Sequence, residues 1–298
     1  MWESSESLPV GLIGAGRWGR NYLNTIAQIR GFKLLKVCSR NPGISSWVPP
    51  GTEIVQNWQA VIDDPRLGGV IIATPPDLHS PILEAAILKD LPAIVEKPLT
   101  LSPVQAQDLA ALAKKRNSKI LVDHIYLFHP GYQKLKAELE QLADKRITHL
   151  QSYGGNYGPF RNYSSLWDYG PHDLALCLDL LKESPHVEWA VETETQEVEG
   201  KKASNYRIKL SFRSGANAET HFGNFFPERV RKLEVGASQK SFVFDGSRPL
   251  TSGESLPLEH LLQEFKHGVL NQPTERFGLA LGVQIVEILG ECQQLLTR

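Results

Sequence analysis

Residues 8–30 constrain the fold more than any other part of this 298-residue chain. An apolar run, Leu8-Pro9-Val10-Gly11-Leu12-Ile13, ends in Gly14-Ala15-Gly16-Arg17-Trp18-Gly19, and a helical pattern follows from Trp18 to Arg30. Strand, glycine turn and helix in this order open a βαβ unit. Glycines there let the backbone turn sharply and approach a pyrophosphate, whose charge rests on free N–H groups at the helix N-terminus. A purely structural turn is the alternative, and the flanking strand and helix disfavour it. The same rhythm continues. Apolar runs at 32–37, 69–74, 92–95 and 119–122 predict strands, alternating with helical patterns at 57–63, 81–89 and 103–117. Val70-Ile71-Ile72-Ala73 and Ala93-Ile94-Val95 are continuously apolar, as parallel strands covered on both faces must be. Ser102-Pro103 gives the last helix a cap and a first-turn proline. Residues 1–123 therefore read as an N-terminal Rossmann domain, a doubly wound parallel sheet for a dinucleotide.

From residue 124 the pattern changes. Tyr206, Ile208, Leu210 and Phe212 alternate with Arg207, Lys209 and Ser211, the period-two mark of a half-covered antiparallel strand. Further strands are expected at 187–195, 218–225, 231–235 and 240–244, with helices at 131–145, 174–181, 256–269 and 277–296. Residues 124–298 thus read as a second, C-terminal α+β domain with a mainly antiparallel sheet that needs cover on its other face. The whole chain is α/β in class, and a second subunit over the sheet's other face makes a homo-oligomer the expectation.

Composition removes several function classes. Lys and Arg number 32 against 33 Asp and Glu, for a net charge of −1, with no block of one sign to track a nucleic acid. No apolar stretch approaches the ~20 residues that span a bilayer. The polar start, residues 1–7, is the reverse of a secretory signal. Cys38, Cys177 and Cys292 are far apart, without a disulfide framework or zinc spacing. His124 and His129 lack carboxylates at a recognised metal spacing, so no metal is expected, and Arg229, Arg231 and Lys232 read as a solvated loop. The expectation is a cytoplasmic protein acting on a small molecule, with no nucleic-acid or membrane partner.

The end of the second strand bears on cofactor choice. An NAD site places Asp or Glu there for the ribose 2′-hydroxyl, but this chain has Cys38-Ser39-Arg40-Asn41. A hydroxyl followed by a guanidinium suits a 2′-phosphate, so NADP(H) is favoured and NAD(H) stays open; a solvated Arg40 is the plain alternative. Glu96-Lys97-Pro98 closes the fifth strand, at the edge where ligands of open α/β sheets bind. Trp167-Asp168-Tyr169-Gly170-Pro171-His172-Asp173 is the other notable segment. With Pro171 in a helix's first turn, His172 would lie at the helix N-terminus, where the dipole keeps imidazole neutral, and Asp168 would orient it. A histidine satisfied by a local cap is the alternative.

Gly14 to Gly19, the loop Ala73-Thr74-Pro75-Pro76-Asp77-Leu78-His79, Glu96-Lys97-Pro98 and Asp168-x-x-x-His172 occur in the order of the glucose–fructose oxidoreductase/inositol dehydrogenase (Gfo/Idh/MocA) family, which the chain resembles over nearly its whole length. The resemblance implies NAD(P)-dependent hydride transfer at a carbinol or keto carbon of a sugar, cyclitol or sugar nucleotide, and makes 124–298 a substrate-binding and oligomerisation domain with a large, mainly antiparallel open sheet. It makes Lys97, Asp168 and His172 the catalytic set, with the histidine as general base. It also implies that Gly14, Gly16, Arg17, Trp18, Gly19, Thr74, Pro75, His79 and Glu96 join Ser39 and Arg40 around the cofactor. The segment Asn156-Tyr157-Gly158-Pro159-Phe160-Arg161 resembles the sugar-nucleotide branch, where Arg161 would meet a substrate phosphate or carboxylate; a surface salt bridge is the alternative. Ala175 stands where many relatives carry an acid, leaving Asp173 as a substitute, and the chain is shorter than many relatives. A reductase of a non-sugar carbonyl or conjugated substrate, and a non-catalytic NAD(P)-sensing regulator, are the competing readings.

Overall fold

The computed structural model describes residues 7–251, 254, 256–271 and 276–297. The polar stretch 1–6 lies outside the described residues. The chain forms two compact units, one built from 1–123 with 258–283 and the other from 124–257 with 284–298. Reading the chain as two consecutive blocks misses this return of 258–283 to the first unit.

The first unit holds a six-stranded parallel sheet. Its strands are β1 (Leu8–Ile13), β2 (Phe32–Cys38), β3 (Glu53–Val55), β4 (Gly69–Ile72), β5 (Ala93–Glu96) and β6 (Ile120–Asp123), in the order β3-β2-β1-β4-β5-β6. Every neighbouring pair is parallel, so all six carboxyl ends lie along one edge. The continuously apolar strands are buried throughout, β1, β4, β5 and β6 at every position. The crossovers carry α1 (Arg17–Gln28), α2 (Gln59–Ile62), α3 (His79–Leu88) and α4 (Pro103–Arg116). α4 starts as its sequence dictates: the Ser102 hydroxyl accepts from Gln105 N–H at 3.4 Å. Lys114, Lys115 and Arg116 fill its last turn, where the helix dipole favours cations.

The second unit holds α5 (Pro130–Glu140), β7 (Ile147–Tyr157), α6 (Ser165–Leu181), β8 (His186–Val198), β9 (Lys201–Ser211), β10 (Asn217–Gly223), β11 (Phe225–Ala237) and β12 (Lys240–Asp245). Its sheet runs β12-β11-β7-β10-β9-β8. The β7–β10 pair is parallel and the other pairs are antiparallel. Tyr206, Ile208 and Leu210 are buried while Arg207 is exposed, the half-covered alternation of β9. β7, an interior strand of this sheet, has no counterpart among the expected strands. Two helices close the chain, α7 (Pro257–Leu270) and α8 (Ala280–Leu296). No helix among the described residues is long and apolar enough to cross a membrane.

Two expectations are corrected. α6 begins two turns earlier than predicted, capped by the Ser164 hydroxyl, which accepts from Leu166 N–H at 3.1 Å, and Pro171 lies inside it. His172 therefore sits mid-helix, and the argument from a helix N-terminus does not apply to it. Arg231 is not in a solvated loop: it is buried on β11.

Candidate active site

In the first unit, β1 passes directly into Gly14, whose φ of +95° belongs to the left-handed region that favours glycine. A Cβ at Gly14 would lie 2.5 Å from the Ala73 carbonyl oxygen, and one at Gly19 would lie 2.0 Å from that of Gly14. The loop is thus packed against the start of α1 and the strand beside it. Gly16 is different: it is exposed, caps α1 without a side-chain hydrogen bond, and a Cβ there would meet nothing within 4 Å. The first-turn N–H groups of Arg17, Trp18 and Gly19 have no intrahelical acceptor, as at any helix start, and such a start fits an anionic group.

The other loops at this edge follow the remaining strands. Ser39 follows β2 with its hydroxyl accepting from Asn41 N–H at 3.1 Å, and Arg40 beside it is exposed. After β4, Thr74 Oγ1 is buried without a hydrogen-bond partner among the described residues, and Pro75 is exposed. His79 is fully buried; its Nδ1 and Nε2 lie 2.9 Å from the carbonyl oxygens of Pro98 and Thr74. Burial holds its pKa below the ordinary histidine value. No ring nitrogen of His79 is left for a ligand, and its effect on the site comes through fixing the two loops together. Glu96 is buried at the end of β5, beside Asp123 rather than facing solvent, and Lys97 next to it is half-buried.

In the second unit, Asp168 stands in the first turn of α6 and His172 one turn later on the same face. Arg161 Nε meets Asp168 Oδ2 at 2.6 Å, and Tyr163 Oη donates to Oδ1 at 3.4 Å. The Arg161 side chain is 41% exposed, so it pairs with the buried Asp168 carboxylate while part of it stays open to solvent. Tyr169 Oη donates to the Gly158 carbonyl at 2.6 Å, tying the Arg161 loop to α6; burial and then the Asp168 charge push its phenol up to about 12.

Tyr126 went unread in the sequence, Arg231 was read only as part of a solvated loop, and Asp173 was expected as the substitute acid. Asp173 accepts from the Ser152 hydroxyl and pairs with Arg231 Nη1 at 2.8 Å. The Arg231 guanidinium lies 4.6 Å over the Tyr126 ring, and that ring meets His172 edge-on with centroids 5.1 Å apart. Burial works to raise the Tyr126 phenol, but Arg231 and Arg229 outweigh it and hold the pKa below its ordinary value. Ala175 is buried and carries no second acid, so Asp173 is the carboxylate that braces this face of α6. In sequence Arg231 lies in the basic run Arg229 to Lys232, and nothing local distinguishes it.

Likeness to known proteins defines the class. The family described as "Oxidoreductase family, NAD-binding Rossmann fold" (GFO_IDH_MocA) matches residues 8–124. A crystal structure of a putative oxidoreductase from Magnetospirillum magnetotacticum MS-1 superposes with a TM-score of 0.87 at 33% identity, covering 96% of this chain and 100% of that one. An inositol 2-dehydrogenase from Pseudarthrobacter chlorophenolicus is 34% identical over 160 residues, which is 49% of this chain and 46% of that protein. A dTDP-3,4-didehydro-2,6-dideoxy-alpha-D-glucose 3-reductase from Streptomyces antibioticus is 29% identical over 153 residues, 47% of this chain and 46% of that protein. This chain thus spans under half the length of those two named enzymes. The protein is an oxidoreductase with an NAD-binding Rossmann fold, and it belongs to the Gfo/Idh/MocA family.

Proposed function

We propose that the protein is an NAD(P)-dependent dehydrogenase or reductase acting at a CH–OH or keto carbon of a sugar, cyclitol or sugar nucleotide. One observation carries the reading: the glycine loop after β1, Ser39-Arg40 after β2, Thr74 after β4 and Lys97 after β5 all lie at the same carboxyl edge of one parallel sheet. The open space at Gly16, the uncapped amides of α1 and the unpartnered Thr74 hydroxyl fit a dinucleotide there. The named relatives, an inositol dehydrogenase and a sugar-nucleotide reductase, support the substrate class. Arg40, with no carboxylate beside it, favours NADP(H) over NAD(H).

Bound dinucleotide supplies the hydride acceptor or donor. The chain's own residues handle the proton. A carbinol gives up hydride only as its hydroxyl proton leaves, so a base must reach that oxygen. His172 is that base in this reading, and Asp168, held by Arg161, supports it. The Lys97 ammonium stabilises charge developing on the same oxygen. Arg161, partly open to solvent, is the substrate-contacting cation. Copies of the chain associate through the second unit's sheet as a homo-oligomer; light scattering at the monomer mass would remove that part alone.

The test is reduction of NADP⁺ and of NAD⁺ by the purified protein against a panel of cyclitols, free sugars and sugar nucleotides. Substrate-dependent nicotinamide absorbance with at least one of them, stronger with NADP⁺, is the expected result. Tight NADPH binding with no turnover across the panel, in both directions, would overturn the enzyme reading.

A further inference from the structure

β5 ends on Glu96 and β6 on Asp123, and these residues are direct neighbours across the parallel ladder. Both are buried, Glu96 at 7% and Asp123 at 1% exposure. α1 covers them with two donors: Tyr22 Oη reaches Asp123 Oδ2 at 2.6 Å, and Trp18 Nε1 reaches the same oxygen at 3.3 Å. Glu96 Oε1 and Asp123 Oδ1 are buried and receive no N–H or O–H from another described residue. Two carboxylates in one buried site repel each other and lose hydration together; a single proton between them removes the repulsion and supplies the missing donor.

We propose that Glu96 and Asp123 hold one proton between them, and that through it Asp123 is a positioning residue, tying the glycine-loop helix to the strand end that presents Lys97. The α1 donors stabilise charge on Asp123, so the proton resides on Glu96, which donates to Asp123. Burial, followed by the neighbouring acid, lifts the Glu96 pKa well above the ordinary carboxylate range, and burial raises that of Asp123 as well. The other groups acting on the pair are Tyr22, whose phenol burial keeps protonated, and Lys97, whose ammonium offsets the single negative charge. Removing the proton leaves two adjacent buried anions beneath α1, and the glycine loop loses its fixed seat. Cofactor affinity should then fall as pH rises through this titration, by at most about tenfold per pH unit for one linked proton.

The proton itself needs no assumption about the cofactor; only the affinity arm rests on the dinucleotide reading. Asp123→Asn and Glu96→Gln each keep one negative charge and add an amide donor, replacing the shared proton. Infrared spectra of the wild-type protein at neutral pH should contain the carbonyl stretch of a protonated carboxylic acid, shifted in D₂O and absent from both variants. Titration with NADPH, followed by fluorescence, should give affinities that decline with rising pH for the wild type and stay level for both variants. Asp123→Ala, which leaves Tyr22 and Trp18 without their acceptor, should bind NADPH more weakly than Asp123→Asn at neutral pH. A wild-type protein without the acid band, or variants retaining the wild-type pH dependence, would overturn the proposal. Presence of the band with no NADPH binding by any protein would sink the dinucleotide reading and the positioning role, but leave the shared proton standing.

Discussion

Arg40 is the residue on which cofactor choice turns. It is exposed beside Ser39, whose hydroxyl already accepts from Asn41, so the guanidinium carries most of any discrimination. A hydrogen bond to a charged group contributes about 1.5–3 kcal/mol, so Arg40→Ala should weaken NADPH about 10- to 100-fold. NADH should change little; equal losses for both cofactors in a binding titration would assign Arg40 a different task. The residues of the candidate site were legible to the extent that local pattern displays them. Gly14 and Gly19 follow a strand and open a helix, and their steric need is visible in the structure. Glu96 and His79 stand in motif positions but are turned inward, because one pairs across the ladder with Asp123 and the other sets its ring nitrogens against two backbone carbonyls. Such partners are 27 and 19 residues away for the Glu96–Asp123 and His79–Pro98 pairs, beyond what a local pattern can encode.

At the scale of elements, the parallel strands were readable because burial on both faces leaves a continuous apolar run. β3 escaped notice, being only three residues at the sheet edge with two of them exposed. β7 was hidden for another reason. Its Gly154 and Gly155 give way to Arg231, Asp173 and Phe226: a Cβ at Gly154 would lie within 2.5 Å of the Arg231 guanidinium and the Asp173 carboxylate. A strand that makes room for a buried ion pair loses the alternation that would announce it. α6 was cut short in the sequence reading by Pro171, since proline ordinarily marks a first turn, whereas here Ser164 caps the helix well before it. α4 shows the opposite case, where the cap is evident from sequence. Ser102→Ala should destabilise the protein by about 1 kcal/mol in urea unfolding, and Ser102→Asp should restore most of that. No change on Ser102→Ala would show that Pro103 and packing alone fix the start of α4.

Across the whole molecule, buried acids of two kinds give stability opposite dependences on pH. Asp179 accepts from Tyr132 at 2.7 Å and pairs with Lys136 at 2.9 Å. Burial works to raise it, but these partners hold its pKa down to about 2. A depressed carboxyl stabilises the fold above its unfolded value, and that contribution is lost as pH falls from ~3.9 towards the folded value. Asp179→Asn should therefore be less stable by about 2–3 kcal/mol at neutral pH, with the gap closing as the pH falls towards 2. A gap that stays constant over that range in urea melts would mean the loss is packing rather than charge. Glu96 and Asp123 run the other way: their raised values favour the fold below the unfolded pKa, and this advantage disappears as pH rises through the folded values. The most direct measurement of the proposed chemistry is steady-state oxidation of the best panel substrate by wild type, Lys97→Ala and His172→Ala, each with NADPH binding titrated in parallel. General-base catalysis contributes about 10²–10⁴-fold, so His172→Ala should lose at least about tenfold in kcat, and Lys97→Ala more, while both still bind the cofactor. Turnover at the wild-type rate by either variant would contradict the assignment of that residue, and by both would contradict the proposed mechanism.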